Sequence, residues 1–459
     1  MSPDSALAAV ERAIADDRDA LIEEWREACR IPSVTTGDPS ALEEMARWIV
    51  ARMGGLFDRI ELDEAPGRPP VILGELAGTG PDRVIVYTHY DVQPPGDQEA
   101  WTTDPFGAEI RDGRVFARGT CDDKADVTAR LQALELWLAH RGAPPPFTIL
   151  WICEGAEERG SPGLADVLER HAGWLHAPQC LWESFVRRAD GRPEIGFGGR
   201  GQLGVRLSAR CLSADQHAAF SPVLQSAPAL LTQALASLTD AAGDVLIAGF
   251  YDDVIAWDDT AVAAAEQIVA PGADLGAGRR SGNRPGLTQA ELGRRLIFSP
   301  SANISAIVAG DIESGNSVVP AEARAKIDFH LVPNQDPADI LAKLRRHLEA
   351  HGLAEIELEA SQGLLPAAGS LETPLALAAI EAARHAYGEP VLYPLLPGAG
   401  PHRQLLDILG ATTVSPAGTT RLDSGIHGPD ENGRLDDYID HVRFSAALLE
   451  QLAQASRSA

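Results

Sequence analysis

Apolar residues recur at intervals of mostly three and four from residue 5 to residue 30, at Leu7, Val10, Ile14, Leu21, Ile22 and Trp25. That spacing predicts an amphipathic helix, and a second one follows over 41–53. The pattern then changes to short apolar runs, Val71-Ile72-Leu73, Val84-Ile85-Val86-Tyr87 and residues 147–152. Runs of this length read as strands, and the last, bounded by Pro146 and Gly155, as one buried on both faces. Between the second and third runs, Val127, Leu131, Leu134 and Leu138 form one stripe and predict a helix over 125–140. Strand, helix and strand in succession predict an α/β architecture, a mostly parallel central sheet flanked by helices.

The periodicity shifts to two at 202–210 and again at 323–331. In the latter, Ala323, Ala325, Ile327, Phe329 and Leu331 take one face, and Arg324, Lys326, Asp328 and His330 the other. Strands with one wet face belong to an antiparallel sheet. A helix is expected over 227–238, and a loop rich in Gly, Arg and Asn over 272–285. After residues 363–369 the βα rhythm resumes, with a helix over 374–387, an apolar stretch at 405–409 and a closing helix over 436–455. The expected organisation is an α/β domain in two segments, 1–203 and 367–459, interrupted by an inserted α+β domain at 204–366.

Composition narrows the function classes. The chain has 459 residues, 45% hydrophobic, with 39 Lys plus Arg against 66 Asp plus Glu, a formal net charge of -27. Nucleic acid and anionic membranes call for basic patches, so neither is an expected partner. The five cysteines, Cys29, Cys121, Cys153, Cys180 and Cys211, include no CxxC spacing, which argues against a disulfide framework or a thiolate zinc site. Residues 1–20 carry no basic region followed by an apolar run, and a cytoplasmic setting is expected.

The candidate chemistry centres on Glu154-Gly155-Ala156-Glu157-Glu158, just past the strand at 147–152. In open α/β sheets ligands bind beyond the carboxyl ends of strands. Adjacent carboxylates there are costly unless a cation lies between them. His89 and Asp91, two apart at a strand end, suit a ligand imidazole and the carboxylate that orients it. Asp122 and Asp123 lie between a strand and a helix start, where either also serves as an N-cap. Glu183 follows the apolar Cys180 to Trp182, and His427 sits in a turn-rich loop. Together these side chains make a nitrogen and oxygen donor field suited to zinc, manganese or cobalt. Two divalent ions would carry four positive charges. Asp122, Glu158 and Glu183 supply three negative ones and a hydroxide the fourth, which leaves Glu157 over as a general base.

These stretches resemble a two-zinc metallopeptidase family that includes cytosolic dipeptidases, carnosinases, aminoacylase, acetylornithine deacetylase, succinyl-diaminopimelate desuccinylase and carboxypeptidase G. The resemblance is carried by Thr88-His89-Tyr90-Asp91-Val92, by Arg118-Gly119-Thr120-Cys121-Asp122-Asp123-Lys124, by Glu154 to Ser161 and by Ile426-His427-Gly428-Pro429-Asp430-Glu431. Ser317 to Ala323 and Leu331 to Pro337 resemble the lid of its dipeptidase branch. The resemblance implies that His89 and Glu183 hold one metal and Glu158 and His427 the other. Asp122 would bridge them across a cis Asp122–Asp123 peptide. Asp91 would support His89, and Glu157 would move the proton. It further implies that His217, in Asp215-Gln216-His217, steadies the oxyanion from a partner subunit's lid, and hence a homodimer.

The sequence departs from the family's pattern where substrate is bound. His330 stands where an Arg usually binds the substrate carboxylate, and a histidine is cationic only if its pKa is raised. Ala227 and Ala399 stand where polar residues are usual, and Ala218-Ala219 replaces Ser-Gly. The expected function is metal-dependent hydrolysis of a dipeptide or small amino-acid-derived amide. N-acyl amino acid deacylation is the alternative within the family. A non-catalytic binding protein on the same fold is the alternative outside it, and two-metal phosphoester chemistry lacks a basic clamp.

Overall fold

The computed structural model describes residues 3–188, 190–269, 286–313 and 316–458, so the loop expected at 272–285 lies outside the described residues. The chain forms two compact units. One comprises Met1–Gly198, Gly369–Pro394 and Gln404–Ala459, the other Gly199–Ala368 and Leu395–Arg403.

The larger unit is built on a mixed sheet. Its centre is parallel: Thr148–Glu154 pairs with Arg83–His89, which pairs with Gln179–Leu181, which pairs with Thr412–Ser415. On one side Arg68–Leu76 and Arg59–Ala65 add antiparallel strands. On the other, Thr412–Ser415 pairs antiparallel with the start of the long strand Glu194–Arg210. Residues along Thr148–Glu154 alternate between two cores, because successive side chains leave opposite faces. Ile149, Trp151 and Cys153 pack with the helices Pro39–Met53, Lys124–Arg141 and Leu435–Ser458. Leu150 and Ile152 pack with the helix Leu164–Leu175 and with Leu405 and Leu409. The sheet is therefore covered on both faces, and groups at its strand ends are what remains for chemistry.

One element differs from the periodicity reading, and a second, left open there, takes a definite form. The helix expected over 5–30 is two helices, Pro3–Asp16 and Arg18–Arg30, broken at Asp17, whose ψ of 11° leaves the helical range. The apolar spacing runs through the break because both helices bury the same side, Val10 and Ile14 beside Ile22 and Trp25. The apolar stretch 405–409 is a single π-helical turn closed by Gly410 at φ 74°, and the strand lies just after it. Short apolar runs do not by themselves separate strand from helix.

The smaller unit carries an antiparallel sheet. Glu322–Leu331 lies between the distal half of Glu194–Arg210 and Ser301–Ala309, with Ile327 opposite Val205 and Ile304. The expected inward set, Ala323, Ala325, Ile327, Phe329 and Leu331, is buried under the helices Ala227–Leu238 and Pro337–Ala350. Among the described residues no helix is long and apolar enough to cross a membrane.

Candidate metal centre

His89 ends its strand in register with Glu154 on the neighbouring one, which sets it beside the acidic stretch that follows. Its ring is fully buried. Nε2 lies 2.9 Å from Asp122 Oδ1, and Nδ1 lies 3.0 Å from the Asp91 carbonyl and 3.4 Å from Asp91 Oδ1. Asp91 also accepts from two backbone amides, Glu157 N at 3.1 Å and Glu158 N at 3.2 Å. One carboxylate thus orients the histidine and holds the turn that presents both glutamates. That turn needs Gly155, where a Cβ would stand 2.3 Å from Tyr90 Cζ.

Asp122 precedes the helix Lys124–Arg141, and the Asp122–Asp123 peptide is cis, as the resemblance implied. Asp123 occupies the N-cap position but makes no side-chain cap; its carboxylate accepts from the His89 amide at 3.1 Å. The capping role open to this pair in the sequence is therefore not taken up by Asp123.

His427 reaches the same place from the far end of the chain. Its Nε2 lies 3.0 Å from Asp122 Oδ2 and 3.2 Å from Glu158 Oε2. The two loops are fastened by Glu431, which is buried. Glu431 accepts from Arg118 Nη1 at 2.6 Å and from the amides of Gly119 and Cys121 at 3.0 Å each. Arg118 Nη2 donates to the Gly428 carbonyl at 2.9 Å.

Glu183 completes the set. Its Oε1 is buried and finds no hydrogen-bond partner among the described residues. Donor atoms of His89, Asp122 and Glu183 lie within 4.8 Å of one another, as do those of Asp122, Glu158 and His427, so Asp122 belongs to both groups. The electrostatics describe a site short of positive charge. Burial pushes the Glu183 carboxyl well above its usual range and Glu157 up to about 8. The hydrogen bond with Asp122 draws His427 up to about 10. Burial works against a charged His89, but its bonds to Asp122 and Asp91 outweigh that and raise it. An idle buried oxygen on Glu183, and a second carboxylate, Asp122, shared between two mixed nitrogen and oxygen groups, fit divalent cations, which displace the protons these groups otherwise hold.

His217 and His330 belong to the smaller unit. His217 is exposed, in a two-residue strand paired with Val318–Val319, and its Nδ1 accepts from the Ala219 amide at 3.1 Å. His330 is half-buried, its Nδ1 without a partner among the described residues. Burial, followed by the charge of Arg200, pushes it below the ordinary histidine range, so the raised value that a cationic His330 requires is not found.

Several supporting residues escaped sequence reasoning. Gln93 donates to Glu158 Oε2 at 2.9 Å and to its carbonyl at 3.2 Å. Glu154 accepts from Tyr87 Oη at 2.5 Å and Ser161 Oγ at 2.8 Å, and burial holds it at about 7. Arg118 and Glu431 stand inside the quoted motifs, but only their mutual burial shows what they do.

The model of peptidase family M20/M25/M40 matches residues 85–451. The human Beta-Ala-His dipeptidase is 28% identical over 409 residues, 84% of this chain and 78% of that one. The Cys-Gly metallodipeptidase dug1 of Schizosaccharomyces pombe is 28% identical over 357 residues, 72% of this chain and 73% of that one. Among solved structures, the M20 family metallo-carboxypeptidase Sso-CP2 from Sulfolobus solfataricus superposes with a TM-score of 0.85 at 29% identity, covering 95% of this chain and 99% of that one. With the match spanning most of its length and the ligand-rich groups inside it, the chain belongs to peptidase family M20/M25/M40 and is a dipeptidase-like metallopeptidase.

Proposed function

We propose that this protein hydrolyses the amide bond of a dipeptide or a similar small amino-acid derivative at a site for two divalent ions, zinc first, manganese or cobalt next. The observation that carries the reading is the sharing of Asp122 between two donor groups. His89 and Glu183 would hold one ion, Glu158 and His427 the other, with Asp122 between them. Bound divalent ions polarise the scissile carbonyl and make water nucleophilic at neutral pH. Glu157, next to Glu158 and free of ligand duty, takes the proton from the attacking water and passes it to the leaving amine nitrogen. Asp91 keeps the His89 ring oriented and the Glu157 amide in place.

The dipeptide assignment draws on the names of the relatives, which act on Beta-Ala-His and Cys-Gly. His217 is assigned to the oxyanion, reached across a homodimer. The strand Ser301–Ala309 supports the dimer: it is the outer strand of its sheet and exposes Ile307 and Val308 by 60% and 61%, an apolar edge that invites pairing with a second copy. His330 enters as a neutral hydrogen-bonding contact to substrate rather than a cation. Cytoplasmic residence is part of the same proposal, in keeping with five free cysteines.

The test is Glu157→Gln. The variant retains two metal equivalents and loses about 10²–10⁴-fold in turnover, measured on a panel of dipeptides and N-acyl amino acids. Turnover at the wild-type rate would remove Glu157 from its role. Preference for the N-acyl substrates would shift the assignment to deacylation.

A further inference from the structure

Behind Glu183 lies a buried charged group that the hydrolytic account does not use. Asp126 and Arg130 sit one turn apart on the helix Lys124–Arg141, both buried, with Arg130 Nη2 donating to Asp126 Oδ2 at 2.7 Å. Asp126 Oδ2 also accepts from the Ser184 amide at 2.6 Å. Arg130 Nη2 donates to the Trp182 carbonyl at 2.6 Å, and Nη1 to the Tyr87 carbonyl at 2.9 Å. The residues on either side of Glu183 are therefore both held by this pair. The same guanidinium holds the strand that ends in His89. Asp122 stands just before the start of the same helix. All three members of one donor group, His89, Asp122 and Glu183, are thus referred to a single helix.

Glu183 needs this support, because no hydrogen bond restrains its Oε1. Its position comes from its backbone. The pair is itself kept in place: His441 Nε2 lies 3.0 Å from Asp126 Oδ1, and the other ring nitrogen lies 3.3 Å from Tyr387 Oη. Gly418 leaves room for the loop, since a Cβ there would stand 2.5 Å from Ser184 Cβ. An apolar pair would fill the same space without the cost of burying charge. What it would lack is directional bonds to 87, 182 and 184.

We propose that Asp126 and Arg130 are positioning residues that set Glu183 against His89 and so tune one of the two ion sites and not the other. The inference rests on the two-ion reading above. Asp122 and the support from Asp91 are common to both groups, but Glu158 and His427 depend on contacts that this pair does not make, Gln93 on Glu158 and Glu431 at the loop of His427.

The experiment is zinc titration of metal-free protein against a chromophoric chelator, which resolves stepwise affinities without reference to turnover. Glu183→Gln and His427→Gln identify which equivalent belongs to which group. Asp126→Asn and Arg130→Lys are expected to weaken the Glu183 equivalent by about 10–100-fold, the usual effect of removing a partner behind a metal ligand, and to leave the other unchanged. Gly418→Ala, which crowds Ser184 and comes within 3.2 Å of Asp126 Oδ1 while leaving both charges in place, is expected to do the same and carries the test if Asp126→Asn does not fold. Trp137→Phe, at the far end of the same helix, loses a bond to Glu450 and controls for general destabilisation. It should leave both equivalents intact. Loss of both equivalents together in the Asp126 and Arg130 variants, loss of the His427 equivalent instead, or no loss at all overturns the proposal alone. Wild-type protein that binds fewer than two equivalents overturns the two-ion reading and this inference with it.

Discussion

Glu431 offers the most direct test of how the two distant segments are joined. Its carboxylate and the Arg118 guanidinium are each about 1% exposed, and the glutamate collects three donors, Arg118 Nη1, Gly119 N and Cys121 N. Glu431→Gln keeps the shape, replaces one acceptor oxygen by a donor and leaves Arg118 buried beside a neutral amide. Removing one partner of a buried ion pair costs about 3–5 kcal/mol. Glutamine with its carbonyl oxygen at the Oε2 position still accepts from two of the three donors, Arg118 Nη1 and Gly119 N, so the lower end, about 3 kcal/mol, is expected. At about 1.4 kcal/mol per tenfold, local opening around 118–122 becomes about two orders of magnitude more frequent. Two units make a single global unfolding transition a poor measure, so the assay is hydrogen exchange by mass spectrometry on peptides containing the Gly119 and Cys121 amides. Those amides should exchange faster by that factor. Adding Arg118→Met should restore part of the protection, because it removes the stranded cation. Wild-type exchange in Glu431→Gln refutes the idea that this carboxylate fastens the loops of Asp122 and His427.

Gly155→Ala places a methyl 2.3 Å from Tyr90 Cζ, in a ring anchored by its hydroxyl to the Pro70 carbonyl at 2.7 Å; overpacking of this kind costs about 1–3 kcal/mol, to be read as faster hydrogen exchange in peptides that span 154–161. Removing metal should destabilise the larger unit, whose clustered carboxylates then face each other unscreened; restoring zinc to about 1,000 times Kd should return about 4 kcal/mol, and hydrogen exchange in that unit indifferent to zinc speaks against binding. His402 tests acid stability in the smaller unit, because burial pushes it down to about 3 against about 6.5 when unfolded. Above pH 6.5 neither state is protonated and nothing is at stake; between pH 6.5 and 3 only the unfolded chain takes up the proton, so stability falls by about 1.4 kcal/mol per unit. His402→Gln should flatten that decline between pH 6 and 4, and parallel curves for the two proteins rule the argument out.

Legibility in the sequence followed the strength of the local pattern. The strands before His89 and Glu157 stood out because apolar runs end at charged residues, and the α/β class followed from their alternation with one clear helical stripe. Glu183 was barely visible, since a single carboxylate after an apolar stretch is common and only its burial beside Asp122 sets it apart. Asp126 and Arg130 were hidden for a different reason. Nearly all of the first half of the helix Lys124–Arg141 is buried, Lys124, Asp126, Thr128, Arg130 and Gln132 included. Periodicity assigns such polar positions to solvent, and it has no means of showing that carbonyls and amides from other strands come to meet them. The apolar stretch at 405–409 had no element assigned to it, because four apolar residues around Asp407 fit strand or helix alike until Gly410 stops the helix.

Chemistry and specificity separate along the chain. Every member of the two donor groups lies in the larger unit, and so do the groups that hold them: Asp91, Gln93, Arg118, Arg130 and Glu431. The substrate-facing departures that the resemblance implies, Ala218, Ala219, Ala227, His330 and Ala399, lie in the smaller one. His330 shows what such a change does physically. It alternates with buried apolar residues on a strand of the antiparallel sheet, and burial together with the Arg200 charge keeps it neutral. An arginine at that place would bring a fixed cation and a fork of donors for a carboxylate, and a neutral imidazole brings one donor and one acceptor. The ligand groups are held by bonds that start and end in the larger unit, so the exchange leaves them untouched. On the proposed function, metal binding and substrate choice would then be separate properties of this chain, and a full complement of metal would say nothing about which amide is cut.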